Sequence, residues 1–255
     1  MPLYKTEGII LRKQEYGETD EIISLLSPDL GKKKILVKGV RKIKGSMVGK
    51  FELFCTIRAL FARGRTFDVC TQVEVLSSRP LLRNDLTKVA YGLYYLELFD
   101  ALLLFSEPNR GFYDLLGESL DHLVRSLRPE LLSLRLMYNF LSTLGYQPSV
   151  EQCAVCRKKV EDGYFSMMRG GTICDDCFPA DRSAAKIGRR AISVLERLPA
   201  FSCAAVEGSD VADEEAARAV RNILERYIAY HFSKNLQGGH LIGKVSSLER
   251  ISAAG

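Results

Sequence analysis

The spacing of hydrophobic positions along this chain changes period once, near Pro80. Before that point they come in short runs: "YKTEGIIL", "EIISLLS" and "KKILVKGV", followed by residues 51–61 and 66–76. In the last run Phe67, Val69, Val73 and Val75 alternate with Asp68, Cys70 and Glu74, which predicts a strand with one buried face. Gly17, Pro28, Asp29, Gly31 and Gly64 punctuate the runs. Five strands at this spacing predict a small barrel. A five-stranded barrel of about this size is the oligonucleotide-binding (OB) architecture, although an SH3-like barrel also fits the strand count.

Beyond Pro80 the period becomes about 3.6. Leu86, Val89, Ala90, Leu93 and Leu96 share one helical face, and "LFDALLLF" after them is apolar nearly all round, as in a buried helix. Leu116, Leu120, Leu123, Val124 and Leu127 form a second stripe; Leu136, Met137, Phe140, Leu141 and Leu144 form a third, which Gly145 is placed to end. Ile187, Ala191, Ile192, Leu195 and Leu198 mark a fourth helix. The last begins near Asp210, where a capping side chain followed by Asp213, Glu214 and Glu215 suits the positive end of a helix dipole. Its stripe runs through Ala216, Val220, Ile223, Leu224 and Tyr227, and residues 238–255 read as a loosely ordered tail.

The charge is uneven in a way that bears on the barrel. Residues 1–80 carry 15 Lys and Arg against 9 Asp and Glu, and residues 81–255 carry 21 against 22. Between Lys32 and Arg65 there are eleven basic residues and one acidic residue, Glu52. Such a field attracts a polyanion. "KKKILVKGVRKIKGSMVGK" places Lys32, Lys33, Lys34, Lys38, Arg41, Lys42, Lys44 and Lys50 on a strand and the loop after it. A charged loop is often only a solvated surface. On an OB barrel, however, a basic groove combined with stacking aromatics binds single strands. Tyr16, Phe51, Phe54 and Phe67 are the candidate rings, each also able to serve as a core residue.

The amino terminus lacks the apolar run of a signal peptide, and no later run approaches the 18 or so residues needed to span a membrane. The expected compartment is the cytoplasm, where thiols stay reduced and clustered cysteines point to metal. Four of the seven cysteines lie in Cys153-x2-Cys156 and Cys174-x2-Cys177, with seventeen residues between the pairs. Each x2 turn aims two sulfurs at one point, and four thiolates complete the tetrahedron of a structural Zn2+. Gly163, Gly170 and Gly171 permit the intervening ribbon to reverse. Four protein sulfurs leave no position for substrate, which argues against metal catalysis. Cys55, Cys70 and Cys203 read as small core residues. Neither a phosphate-binding G-x4-G-K-[ST] loop nor a G-x-G-x-x-G turn occurs, and none of His122, His231 and His240 neighbours a nucleophile motif. The expectation is a protein that is not an enzyme.

The fold expected is therefore α+β: an N-terminal five-stranded OB-type β-barrel over residues 1–79, then a helical domain over 80–250 carrying a four-cysteine zinc finger at 150–180. In that order of parts, and in "YKTEGIILRKQEYGETDEIISLLSPDLGKKKILVKGVRK", "LRLMYNFLSTLGYQPSVEQCAVC" and "GYFSMMRGGTICDDC", the chain resembles the RecO family of bacterial DNA-repair proteins. The resemblance covers most of the chain and is weakest beyond about residue 200. It implies a recombination mediator that binds single- and double-stranded DNA, anneals complementary strands, and acts with RecR to place RecA on strands coated by single-strand-binding protein. The family's basic strand and loop match Lys38, Arg41, Lys42 and Lys44, with Lys34 and Arg12 as companions. The family also binds the acidic C-terminal tail of the coat protein through its helical domain. Arg110, Arg125, Arg128 and Arg135 are available to rim an apolar groove for that tail. No membrane partner is expected, and the site of action would be cytoplasmic, at the nucleoid. The competing reading is a zinc-ribbon protein-interaction module, a transcription or assembly factor with an SH3-like barrel and little DNA binding. A DNA-ligase-like enzyme would need a nucleotidylated lysine motif, and none is visible.

Overall fold

The computed structural model describes residues 2–45, 47–200 and 213–253. Its first five strands are β1 (Leu3–Tyr16), β2 (Asp20–Ser27), β3 (Gly31–Val37), β4 (Thr56–Ala62) and β5 (Asp68–Ser77). They close into a barrel in the order β1-β2-β3-β5-β4, antiparallel throughout except for the β3–β5 pair. This is the OB-type arrangement, and it removes the SH3-like alternative. The long β1 serves two neighbours: residues 3–9 pair with β4 and residues 9–16 with β2. A bulge between Ile10 and Arg12 bends the strand so that it can do both.

Inward positions of the strands supply Ile10, Ile23, Leu25, Ile35, Val37, Ile57, Ala59 and Phe61 to the barrel core. Two expectations fail here for local reasons. Residues 51–55 are not strand: Phe51 is fully buried in the barrel core, and Phe54 takes a left-handed backbone (φ 69°) that carries the chain into β4. In β5 the alternation slips, because Leu60 faces Gln72 while Phe61 faces Cys70. The extra residue, Thr71, turns Cys70 into the core with Val73 beside it and leaves Val75 exposed.

Among the described residues six α-helices follow: α1 (Leu86–Leu102), α2 (Arg110–Arg125), α3 (Pro129–Thr143), α4 (Arg189–Arg197), α5 (Glu214–Phe232) and α6 (Gly238–Ala253). Three short strands, β6 (Gly163–Ser166), β7 (Gly171–Ile173) and β8 (Ala185–Ile187), form a separate sheet in the order β7-β6-β8. The chain divides into two compact units, residues 1–125 with 237–255, and residues 126–236. No helix among the described residues is long and apolar enough to cross a membrane.

In the first unit, Asp85 caps α1 by accepting from the Lys88 amide at 3.0 Å. The helix packs so closely on the Phe54 ring that a Cβ at Gly92 would lie 2.8 Å from it. Arg79 fixes the end of β5: its buried guanidinium donates to the Phe54 carbonyl (2.7 Å), to Thr56 Oγ1 (3.0 Å) and to Asp121 on α2 (2.6 Å). Helix α1 stops at Leu102, so Leu104 and Phe105 are exposed rather than buried in a longer helix. The tail expected to be loose is helical as α6. Its N-terminal amides at Gln237 and Gly238 donate to the Glu97 carboxylate of α1, each at 2.7 Å, and Ile242 and Val245 are buried one turn apart.

In the second unit, α5 begins three residues later than the sequence suggests. Asp213 is the cap, accepting from Glu215 N and Ala216 N, and Arg221 pairs with Glu130 of α3 at 3.1 Å. The predicted stripe Ala216, Val220, Ile223, Leu224 and Tyr227 is buried throughout. Ile187 ends β8 rather than starting α4. Asp210 and Cys203 lie outside the described residues.

Candidate nucleic-acid interface and metal centre

Strand β3 ends at Val37, and the loop that follows is fastened to the β1–β2 turn by its main chain. Gly39 turns with φ 66° and donates its amide to Asp20 Oδ1 at 2.8 Å; the Arg41 amide donates to the Thr19 carbonyl at 3.0 Å. The buried Val40 side chain joins the barrel core between them. With its backbone anchored, the loop presents Lys38, Arg41, Lys42 and Lys44 to solvent. Arg41 pairs with Glu15 at 3.0 Å; among the described residues Lys38, Lys42 and Lys44 have no carboxylate within ion-pair distance. The Gly39 amide lowers the pKa of Asp20 below the usual carboxylate value, helped by Thr19, Lys38 and Lys42, so the acid under the loop stays ionised.

Not all of the basic run is available. Lys32 is only 4% exposed; its Nζ donates to the Asp100 carbonyl at 2.5 Å and lies 3.8 Å from the carboxylate of the same residue. Lys33 is engaged by Asp68 at 3.3 Å. Lys34 and Arg12 stand on the outer face of the barrel in one cross-strand row, since Arg12 faces Ser24 and Ser24 faces Lys34. Of the candidate rings, Phe51 and Phe54 are core residues, whereas Tyr16 is half-exposed and meets the half-buried Phe67 edge-on at 6.3 Å.

Arg63 and Arg65 add to the basic charge of this region; both are exposed on the β4–β5 loop. Asp68 organises that loop by accepting from Gly64 N (3.2 Å), the Tyr4 hydroxyl (2.6 Å) and Lys33. Burial alone would raise its pKa, but these donors outweigh it and hold the carboxyl below the usual range. The signal that could have found the two arginines is topological: OB barrels bind through the loops joining strands 1–2 and 4–5.

In the second unit the two Cys-x2-Cys turns face each other. The Cys153 amide donates to the Lys158 carbonyl (2.8 Å), Arg157 closes the first turn with φ 65°, and Cys177 N donates to the Cys174 carbonyl at 3.0 Å. All four Sγ atoms of Cys153, Cys156, Cys174 and Cys177 lie within 4.8 Å of one another, with Cys156 and Cys174 at 3.7 Å. A tetrahedral thiolate site with metal–sulfur bonds near 2.3 Å has edges of about 3.8 Å, so the set fits a metal ion with little contraction. Burial disfavours the Cys153 thiolate, yet the amides of Cys156, Cys174 and Val155 aim at it and bring the thiol down to about 6. Desolvation and the neighbouring sulfurs push Cys177 up to about 12. A metal ion held by the four sulfurs would replace their protons.

Strands β6 and β7 join the turns. Gly170 (φ 66°) lies in the hairpin bend under the Tyr227 hydroxyl, as expected of a reversing glycine. Gly163 serves differently: a Cβ there would sit 2.4 Å from the Ile173 carbonyl of the paired strand. His231 of α5 reaches the Met167 carbonyl at the same bend, at 2.9 Å.

Two family profiles cover nearly all of this architecture. "Recombination protein O N terminal" matches residues 1–79, and "Recombination protein O C terminal" matches residues 83–238. The chain belongs to the RecO family of DNA repair proteins. The DNA repair protein RecO of Pelotomaculum thermopropionicum is 30% identical over 238 residues, 93% of this chain and 92% of its own length. That of Dehalococcoides mccartyi (strain CBDB1) is 36% identical over 176 residues, 68% and 70% respectively. That of Bacillus pumilus is 26% identical over 249 residues, 98% and 97%. The N-terminal RecO profile ends two residues past the barrel's last strand; the C-terminal RecO profile contains α1 to α5 and the cysteine ribbon.

The arginines expected to rim a groove for a partner's acidic tail are placed less compactly. Arg110 and Arg125 are the first and last residues of α2, about 22 Å apart along its axis, and Arg110 is paired with Asp114 at 3.7 Å. In the other unit, Arg128 precedes α3 and Arg135 lies within it, seven residues on and close to the same face.

Proposed function

We propose that this protein is a recombination mediator that binds single- and double-stranded DNA through its barrel and anneals complementary strands. With RecR it would help load RecA onto strands coated by single-strand-binding protein, whose C-terminal tail it would bind through its helical segment. The observation that carries this reading is the loop of Lys38, Arg41, Lys42 and Lys44 tethered at Gly39 and Arg41 to the turn of an OB-type barrel. Cations held this way grip phosphates and leave base edges free to pair, so strand exchange needs no covalent step and no enzymatic activity. Its place is the cytoplasm, at the nucleoid.

The metal held by the four sulfurs is Zn2+ in this reading. It would supply folding energy to the ribbon, and the closed shell of protein ligands gives it a structural role. The test of the DNA reading is a titration of a fluorescent single-stranded oligonucleotide at 50 mM salt. Tight binding by the parent, lost on combining Lys38→Glu, Arg41→Glu and Lys42→Glu, is expected. No binding by the parent, or binding indifferent to the three reversals, would overturn it.

A further inference from the structure

The outer face of β2 and β3 holds the row in which Arg12 and Lys34 stand, but no aromatic side chain comes from either strand. The outward positions are Ile22, Ser24 and Leu26 on β2, and Lys32, Lys34 and Leu36 on β3. An aromatic ring reaches this face from elsewhere in the chain. Strand β5 pairs with β3 only at Ile35 and Leu36, which leaves the first half of that β3 edge without a barrel neighbour. The segment after α1 fills part of it: Phe105 bridges Lys32 in parallel fashion, and the Ser106 amide donates to the Lys32 carbonyl at 2.9 Å. Ser106 turns with φ 61° immediately afterwards, so the contact is one short, fixed rung.

The rung holds the Phe105 ring among cations. Lys32 Nζ lies 4.3 Å from its centroid and Lys34 Nζ 5.3 Å, close enough for both to orient the ring electrostatically. Even so Phe105 remains 49% exposed, with Leu104 beside it at 66%. Asp100 is already engaged by Lys32 and by Arg12, and among the described residues no carboxylate is within ion-pair distance of Lys34, which is exposed next to the ring. Lys38 is only four residues beyond Lys34, roughly 13 Å along an extended chain. A strand held by the 38–44 loop could therefore run on to this ring.

We propose that Phe105 is a base-stacking platform: it receives one unpaired nucleobase while Lys34 and Arg12 take the neighbouring phosphates. The proposal rests on the reading of the barrel as DNA-binding and adds a preference, since a base is free to stack only in a single strand. It also gives the segment between α1 and α2 a share in a surface that otherwise belongs to the barrel.

The test measures affinity of the full-length protein for an oligo-dT strand and for a duplex of the same length. Phe105→Ala is expected to weaken the single strand by about 5- to 150-fold, the range for removing one base–aromatic stack, and the duplex by less than about twofold. The chain contains no tryptophan, so Phe105→Trp introduces a unique fluorophore. That variant is expected to bind like the parent and to be quenched by oligo-dT but not by duplex. A Phe105→Ala protein that binds oligo-dT like the parent, one that loses single strand and duplex equally, or an unquenched Phe105→Trp would overturn the proposal while leaving the barrel's DNA binding standing. A parent that binds no DNA would overturn both.

Discussion

Among the described residues the barrel closes on twelve buried side chains drawn from all five strands and the 38–55 connection, whereas the cysteine ribbon has strands of four and three residues and converges on four sulfurs. One region is ordered by burial of apolar surface; the other also buries Val160, Phe165 and Ile173, but its two turns meet at a point that a metal ion would occupy. The difference separates stability from chemistry in opposite ways. In the barrel, the residues that hold the fold face inward, and the loop cations proposed for DNA point outward beside Val40, the loop residue that joins the core. In the ribbon, with the proposed metal bound, the reactive groups would themselves hold the two turns together.

Breaking the ribbon should therefore have the largest local effect. Structural zinc contributes on the order of 10–16 kcal/mol in small zinc domains. Cys153→Ser or Cys174→Ser, or stripping the metal with a chelator, should abolish stoichiometric metal binding and collapse hydrogen-exchange protection across residues 150–180. Protection in β1 to β5 and affinity for oligonucleotide should persist. Metal analysis and exchange on the same samples check this; a barrel that melts with the ribbon would contradict the division.

The reciprocal experiment is Phe51→Ala. Removing a fully buried ring from the barrel should cost about 3–5 kcal/mol, lower DNA binding along with barrel stability, and leave the bound metal in place. A variant of parental stability that had lost only DNA binding would instead make Phe51 a stacking residue.

The contrast also explains what could be read in advance. The paired Cys-x2-Cys spacing needs only two local turns, each completed within a few residues, so the convergence of the four sulfurs was legible from the sequence. So were five strands and the inner faces of α3 and α5, where one buried stripe dominates; in α2 the buried stripe ends at Leu123, and Leu127, expected to continue it, is exposed beyond the helix. Missed features depend on what lies across from a residue. Thr71 bulges because of its pairing with β4, and Lys32 is buried because Asp100 stands over it; neither partner is near in sequence. The run of leucines before Phe105 looked like one helix, but a vacant stretch of the β3 edge captured its end. The tail became a helix because Glu97, 140 residues away, accepts from its first amides.

A smaller effect is expected at the loop tether. Asp20 has a pKa lowered from 3.8 in the folded protein, so its contribution to holding the loop is complete above that value and is lost as pH falls through the lower folded one. The Gly39 amide should stay protected down to about pH 4 and lose protection below it. In Asp20→Ala that protection should be missing at every pH, with the barrel intact. Protection of Gly39 that ignores both would mean that Val40 alone anchors the loop.

The central claim is that the loop cations grip DNA by their charge, and the salt dependence of single-strand affinity tests it most directly. If about five cations contact phosphates, log K should fall against log salt with a slope of roughly −3.5, a loss on the order of a hundredfold between 50 and 200 mM. Neutralising Lys38, Arg41 and Lys42 as glutamines should bring the slope to about −1.4. A parental slope near zero, or a triple variant as steep as the parent, would contradict the account.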